Sequence, residues 1–134
     1  MVSQKSLIVL ARVFAGLTLA LGCMWLLGII ILFQLAMSKN STTAFVNIDG
    51  VQIGLMSVLF GAHLVAAWAG ARSSIRGSVA MLSANVLSLI APTYLNVPVV
   101  PGPAVKAVLL VVSAALVVFV LLQISVFYQR NSVP

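Results

Sequence analysis

The amino-acid sequence predicts an all-α integral membrane protein, a bundle of four transmembrane helices. Three observations predict it. Apolar residues make up 63% of the 134 positions and charged residues only 6%, against about 45–50% and about 25% in ordinary soluble domains. The apolar residues gather into four runs, each near the roughly 20 residues needed to cross hydrocarbon. The basic residues stand singly at the ends of those runs, where topology signals and headgroup anchors belong. So few charges cannot cover a water-facing surface, so lipid is the expected solvent for most side chains. The length fits one membrane domain, residues 1–134.

The first apolar stretch, Leu7 to Met37, is broken only by Arg12. Residues 13–36 are the expected span, with Leu7–Arg12 an interfacial turn whose arginine reaches the headgroups. The apolar core of a cleaved signal peptide has about 7–15 residues, so this longer run is expected to be retained. Cys23, the single cysteine, lies inside the run and is expected to pack as a small apolar residue.

A polar stretch, Ser38 to Gly50, follows. Asn40-Ser41-Thr42 matches the glycosylation sequon, which matters only in a eukaryotic source. Between Phe45 and Ile53, the pair Asp49-Gly50 is flanked by β-prone residues. Such a pair tolerates the positive φ of a two-residue hairpin turn. A short β-hairpin in this first outer loop and a simple turn into the next helix fit the pattern equally.

The second span, residues 53–70, is short and carries His63. A basic turn with Arg72 and Arg76 leads to the third span, residues 78–95, the most polar of the four, with Ser83, Asn85, Ser88 and Pro92. Pro98, Pro101 and Pro103 then forbid a continuous helix and favour extended backbone. The fourth span, residues 104–128, is the most hydrophobic and ends on Tyr128 and Arg130, a typical interfacial finish.

Charge asymmetry gives an orientation. With four spans, both termini share a side with the Arg72–Arg76 turn. That side holds Lys5, Arg12, Arg72, Arg76 and Arg130; the other holds Lys39 and Lys106, partly offset by Asp49. The excess predicts both termini in the cytoplasm, in a plasma or bacterial inner membrane. Scattered cations without aromatic interleaving do not suit nucleic acid.

Helices in lipid gain no hydrophobic energy by meeting; they associate through close van der Waals contact, which small residues permit. At about 100° per residue, Ala11, Ala15, Thr18 and Gly22 share a side of the first span. Gly54, Ser57 and Gly61 share one side of the second, and Ala62, Ala66 and Gly70 another, near His63. Ala80, Ala84, Ser88 and Ala91 line the third; Ala107, Ala114 and Ser125 line the fourth. The helix-packing candidates are therefore Gly54, Ser57, Gly61, Ala80, Ala84 and Ser88. With small residues on two faces, the second span is the expected most enclosed helix.

Two polar residues at membrane depth, His63 and Asn85, are the candidates for chemistry. A histidine there can ligate haem, relay a proton or contact a quinone, or simply bond to a serine or asparagine of the bundle. Trp25, mid-span, is expected between helices; Trp68 and Tyr94 are expected at the interfaces, and Gln34 and Gln123 near headgroups. No span contains Asp or Glu. The small multidrug transporters share the length and helix count, but the acidic residue of their first span is missing. The glycine- and arginine-containing motif of the small fluoride channels is missing too. No catalytic set, metal-ligand cluster or phosphate loop is present, so neither enzyme activity nor a bound cofactor or metal is expected.

Three functional readings remain. The first, which requires no missing residue, is a non-catalytic interaction protein: a subunit or modulator of a membrane complex, such as a toxin-immunity protein. The second is a homo-oligomeric channel or carrier with a polar path through His63 and Asn85. The third is a cofactor- or quinone-binding subunit of an electron-transfer complex with His63 as ligand. All three place the chain in the lipid bilayer with a membrane protein partner or further copies of itself.

Overall fold

The computed structural model describes residues 3–37, 50–94 and 103–132. They form four helices and, among the described residues, no strand: α1 (Gln4–Met37), α2 (Gly50–Gly70), α3 (Ile75–Tyr94) and α4 (Pro103–Ser132). Three of these, over Gln4–Ile31, Ile53–Gly70 and Pro103–Asn131, are long and apolar enough to cross a membrane. The apolar part of α3, Ile75–Ala91, is shorter.

Several boundaries differ from the expectation. α1 starts at Gln4 rather than 13, so Leu7–Arg12 is regular helix and not a separate turn. Of the two readings that fit Asp49-Gly50 equally, the hairpin lacks its second strand: Gly50–Ile53 form the first turn of α2. The competing signal was the apolar run itself, which continues helically from Ile53 and draws its flanking residues in. Phe45–Asp49, the sequon and the segment 95–102 lie outside the described residues. Pro103 opens α4 at the first helical position, where its missing N–H costs nothing.

The turn between α2 and α3 is short for local reasons. Ala71 and Ser73 N–H donate to the carbonyls of Ala67 and Gly70 at 3.0 Å, closing the end of α2. Ser73 takes φ 58°, reversing the chain. Ser74 then caps α3: its hydroxyl accepts the Gly77 N–H at 3.0 Å. A side chain at Gly77 would strike the Ala69 backbone carbonyl, so glycine lets the start of α3 press against the end of α2.

α1 packs on α2, α2 on α3 and α3 on α4, while α1 also meets α3 and α4; among the described residues the backbones of α2 and α4 do not approach closely. The enclosed diagonal is thus α1 with α3, not α2. Among the described residues, the main apolar core joins Ala15 and Leu21 of α1, Ala66 and Ala67 of α2, Met81 and Ala84 of α3, and Leu109, Val112 and Leu116 of α4. Phe14 and Phe119 pack at 5.2 Å between ring centres, alongside Leu7 and Ala11.

The small-residue face of α1 turns inward as its spacing suggested: Ala11, Ala15, Thr18 and Gly22 are all buried. That of α4 does not; Ala107, Ala114 and Ser125 are exposed, and Leu109, Val112, Leu116 and Phe119 pack instead. Cys23 is likewise exposed on α1, not packed inside. In an apolar sequence, large side chains can serve either face, so small-residue spacing alone does not select the inner one.

The outer faces are apolar almost throughout. Val9, Val13, Leu27 and Phe33 of α1, Val58 and Val65 of α2, and Leu110, Val111 and Leu121 of α4 are exposed. Exposed serines on these faces bond their own helix: Ser57 Oγ donates to the Ile53 carbonyl and Ser83 Oγ to the Val79 carbonyl, each at 2.8 Å. A hydroxyl with an internal partner is tolerable in hydrocarbon; one without is costly.

Candidate functional site

The polar residues that do not face outward meet at the centre of the bundle. His63 of α2, Asn85 and Ser88 of α3, and Thr18 and Trp25 of α1 are all buried. Each comes from an apolar run and points inward because no donor or acceptor outside would satisfy it. The first four lie at 2% exposure or less, so solvent does not reach them.

The hydrogen bonds form a directed chain. His63 Nδ1 lies 2.7 Å from the Leu59 carbonyl oxygen, one turn earlier. A carbonyl only accepts, so Nδ1 carries the proton and Nε2 of the neutral ring is an acceptor. Ser88 Oγ, 3.0 Å from Nε2, therefore donates to it. That oxygen in turn accepts the Trp25 indole N–H at 2.8 Å. Trp25, Ser88, His63 and Leu59 are thus linked donor to acceptor, with the Ser88 hydroxyl both accepting and donating. A proton added at Nε2 would turn the Ser88 hydroxyl hydrogen away and leave it without its acceptor.

Gly22 makes this arrangement possible. A Cβ there would lie 2.5 Å from the His63 Cβ, so only glycine lets α1 approach α2 at the level of the ring. Ser88 brings α3 to the same point. One residue from each of three helices therefore fixes their mutual register. Asn85 belongs to an adjoining pair: its amide Nδ2 donates to Thr18 Oγ1 at 3.4 Å, a long bond, and its Oδ1 has no partner among the described residues.

A cavity of about 60 Å³ borders the cluster, touching Trp25 and Ser88 and otherwise walled by residues such as Leu21, Met24, Met56 and Leu109. It does not reach His63 or Asn85. Among the described residues there is no group of three or more histidine, cysteine or acidic side chains fit to hold a metal.

The remaining candidates separate into two kinds. Ala84 and Ser88 are buried and Ala80 is half-buried against the apolar core. Gly54 and Ser57 are exposed and Gly61 half-buried, and a Cβ at either glycine would meet nothing within 4 Å. The inward face of α2 is instead Met56, Leu59, His63, Ala66 and Ala67. Gln123, expected near headgroups, is buried at 5% exposure with both amide atoms unpartnered. Thr18 and Gly22 were legible as part of a small-residue stripe and Trp25 as a residue between helices, but which residues of α2 and α3 they meet was not.

No protein-family model, curated protein or solved structure matches this chain.

Proposed function

We propose that this chain is a small, non-catalytic, four-span membrane protein that acts by helix–helix contact, as a subunit or modulator of a membrane complex. In this reading α3 completes the fourth crossing, shielded by its neighbours, and the excess of basic residues holds both termini in the cytoplasm. The observation that carries the reading is the contrast between the two faces of α2. One face is closed by the His63 bonds. The other presents Gly54, Ser57 and Gly61, with nothing among the described residues within 4 Å of a Cβ at either glycine and a serine already bonded to its own helix. Such a face accepts the backbone of another helix closely.

The centre of the bundle supports the same reading against its rivals. Both His63 ring nitrogens are engaged inside the chain, which leaves no lone pair for haem or a hydrogen bond to quinone. His63 and Asn85 have no accessible surface, which does not suit a polar path for ions or solutes through one chain.

Isolation of the full chain in mild detergent, with identification of what accompanies it, tests the proposal. A stoichiometric membrane protein partner, or a defined homo-oligomer, is expected, and Gly61→Leu should remove it while leaving the helical content intact. A chain that purifies alone as a monomer, or a partner indifferent to Gly61→Leu, contradicts the reading. Ala84→Leu is not an equivalent test, because Ala84 is buried in the core and its enlargement disrupts the chain itself.

A further inference from the structure

One end of the bundle gathers the start of α1, the α2–α3 turn and the end of α4. Arg130 of α4 donates to the Gln4 side chain of α1, so these two ends are held together. Beside them lies a cavity of about 460 Å³ whose polar wall includes Arg72, Arg76, Arg130, Gln4, Ser73 and Gln123. Its apolar wall is formed by Leu7, Ile8, Val126 and Phe127. The size lies in the range of ordinary small-ligand sites, about 300–1,000 Å³.

Three arginines share this cavity without an acidic side chain to balance them. The described residues contain no Asp or Glu; the chain's single acidic residue, Asp49, precedes the opposite end of α2. Two of the arginines are held but not neutralised: Arg72 lies 4.0 Å from the centre of the Trp68 ring, and Arg130 is bonded to an uncharged amide. The N-terminal end of α3, a helix of 20 residues, adds its positive dipole end at Ser74–Ile75 on the same wall.

Gln123 is the second, independent sign of a ligand. It lines the cavity, is buried at 5% exposure, and neither its amide nitrogen nor its oxygen has a partner among the described residues. A buried amide left in this state is unfavourable unless something supplies both an acceptor and a donor. Gln123, Val126, Phe127 and Arg130 follow the i, i+3, i+4, i+7 spacing of one helix face, so all four border the same cavity.

We propose that this cavity binds the headgroup of one anionic glycerophospholipid, recognised by its phosphate and a headgroup hydroxyl. The arginines take the phosphate oxygens, which suit guanidinium geometry. On binding, the Gln123 side chain turns from its enclosed position into the cavity, where its amide N–H donates to the phosphate and its Oε1 accepts from the hydroxyl. The acyl chains leave along Leu7, Ile8, Val126 and Phe127. This rests on the reading of the chain as membrane-inserted.

The test measures lipid binding by the purified full chain in detergent, by native mass spectrometry and by thermal stabilisation. Phosphatidylglycerol, phosphatidylcholine and inorganic phosphate are the probes. One phosphatidylglycerol per chain is expected, held about tenfold or more above phosphatidylcholine. The preference should vanish in Arg76→Gln/Arg130→Gln and in Gln123→Leu, and persist in Lys106→Gln at the other end. Circular dichroism establishes that the variants are folded; the two arginines are exposed, so the double variant should keep its structure. Equal binding of the two lipids, or a preference that survives the arginine substitutions, overturns the proposal. Saturable inorganic phosphate binding without lipid preference overturns the lipid assignment. Alkaline extraction of membranes separates the two levels: a chain that stays in the membrane but shows no preference sinks only the lipid site, whereas release sinks the membrane reading beneath it.

Discussion

The centre of the bundle and its arginine-lined end are both polar, yet they are finished differently. At the centre, Trp25, Ser88, His63 and the Leu59 carbonyl satisfy one another. At the end, Gln123 is buried with nothing to bond, and Arg72, Arg76 and Arg130 face a cavity without an acidic side chain. The difference teaches where to look for function in a chain with almost no charge. A polar group that is already satisfied holds helices together; Asn85 Oδ1 and the Gln123 amide both lack partners among the described residues, but of the two only Gln123 lines a cavity large enough for a ligand. His63, the residue most suggestive of chemistry in the sequence, belongs to the first kind.

The strongest way to break this contrast is to push the centre apart. Gly22→Leu places a side chain where the His63 Cβ sits. It should destabilise the bundle by about 3 kcal/mol or more, read as a fall in the reversible unfolding midpoint in mixed micelles. A stable, native-like Gly22→Leu protein would mean that α1 and α2 do not meet as described.

Removing the shared hydroxyl is next in size. Ser88→Ala leaves both the Trp25 N–H and His63 Nε2 without partners and should cost about 1–3 kcal/mol. Trp25→Phe removes a single donor and should cost about 1 kcal/mol. If the chain of bonds acts as a unit, the double variant loses less than the sum of the two, which a double-mutant cycle measures. Strict additivity would show the two bonds to be independent. Thr18→Val cuts only the long bond to Asn85 and should change stability by about 0.5 kcal/mol or less.

The smallest effect on stability should come from Gly61→Leu. A Cβ at this half-buried position would meet nothing within 4 Å among the described residues, so the unfolding midpoint should move by no more than about 0.5 kcal/mol equivalent. Loss of a partner by this variant then reports on contact and not on folding. A large destabilisation would place Gly61 inside the bundle and remove the open face of α2.

The helices were legible in the sequence because long apolar runs leave so few options. Backbone polar groups must be satisfied within each apolar run, so the runs at 13–36, 53–70, 78–95 and 104–128 become helices and only their ends shift. The high polarity of α3 also has a reason: it packs between α2 and α4 and also meets α1, so Ser78, Asn85 and Ser88 turn inward. What stayed hidden was which side of each helix faces in. Amphipathic patterning, the usual guide, is nearly absent when both sides are apolar. Gly54 and Gly61 therefore looked as much like internal contacts as Gly22 did, although only Gly22 lies against another helix of the chain. Gln123 looked like a headgroup contact because it lies near the end of a span; its inward direction depends on α1 and the α2–α3 turn closing over it, which no local signal announces.

The central claim is that α2 turns one face to its own bundle and the other to a membrane partner. Site-specific photo-crosslinking in intact membranes tests it most directly, with a photoreactive amino acid placed in turn at Ser57, Gly61, Val65 and Val111. The account predicts a discrete protein adduct from Ser57 and Gly61, of one size, and lipid adducts only from Val111 on the far helix. Val65, beside the small-residue face, should give the same protein adduct more weakly. Lipid adducts alone from Ser57 and Gly61, or the same protein adduct from Val111 as strongly, would contradict it.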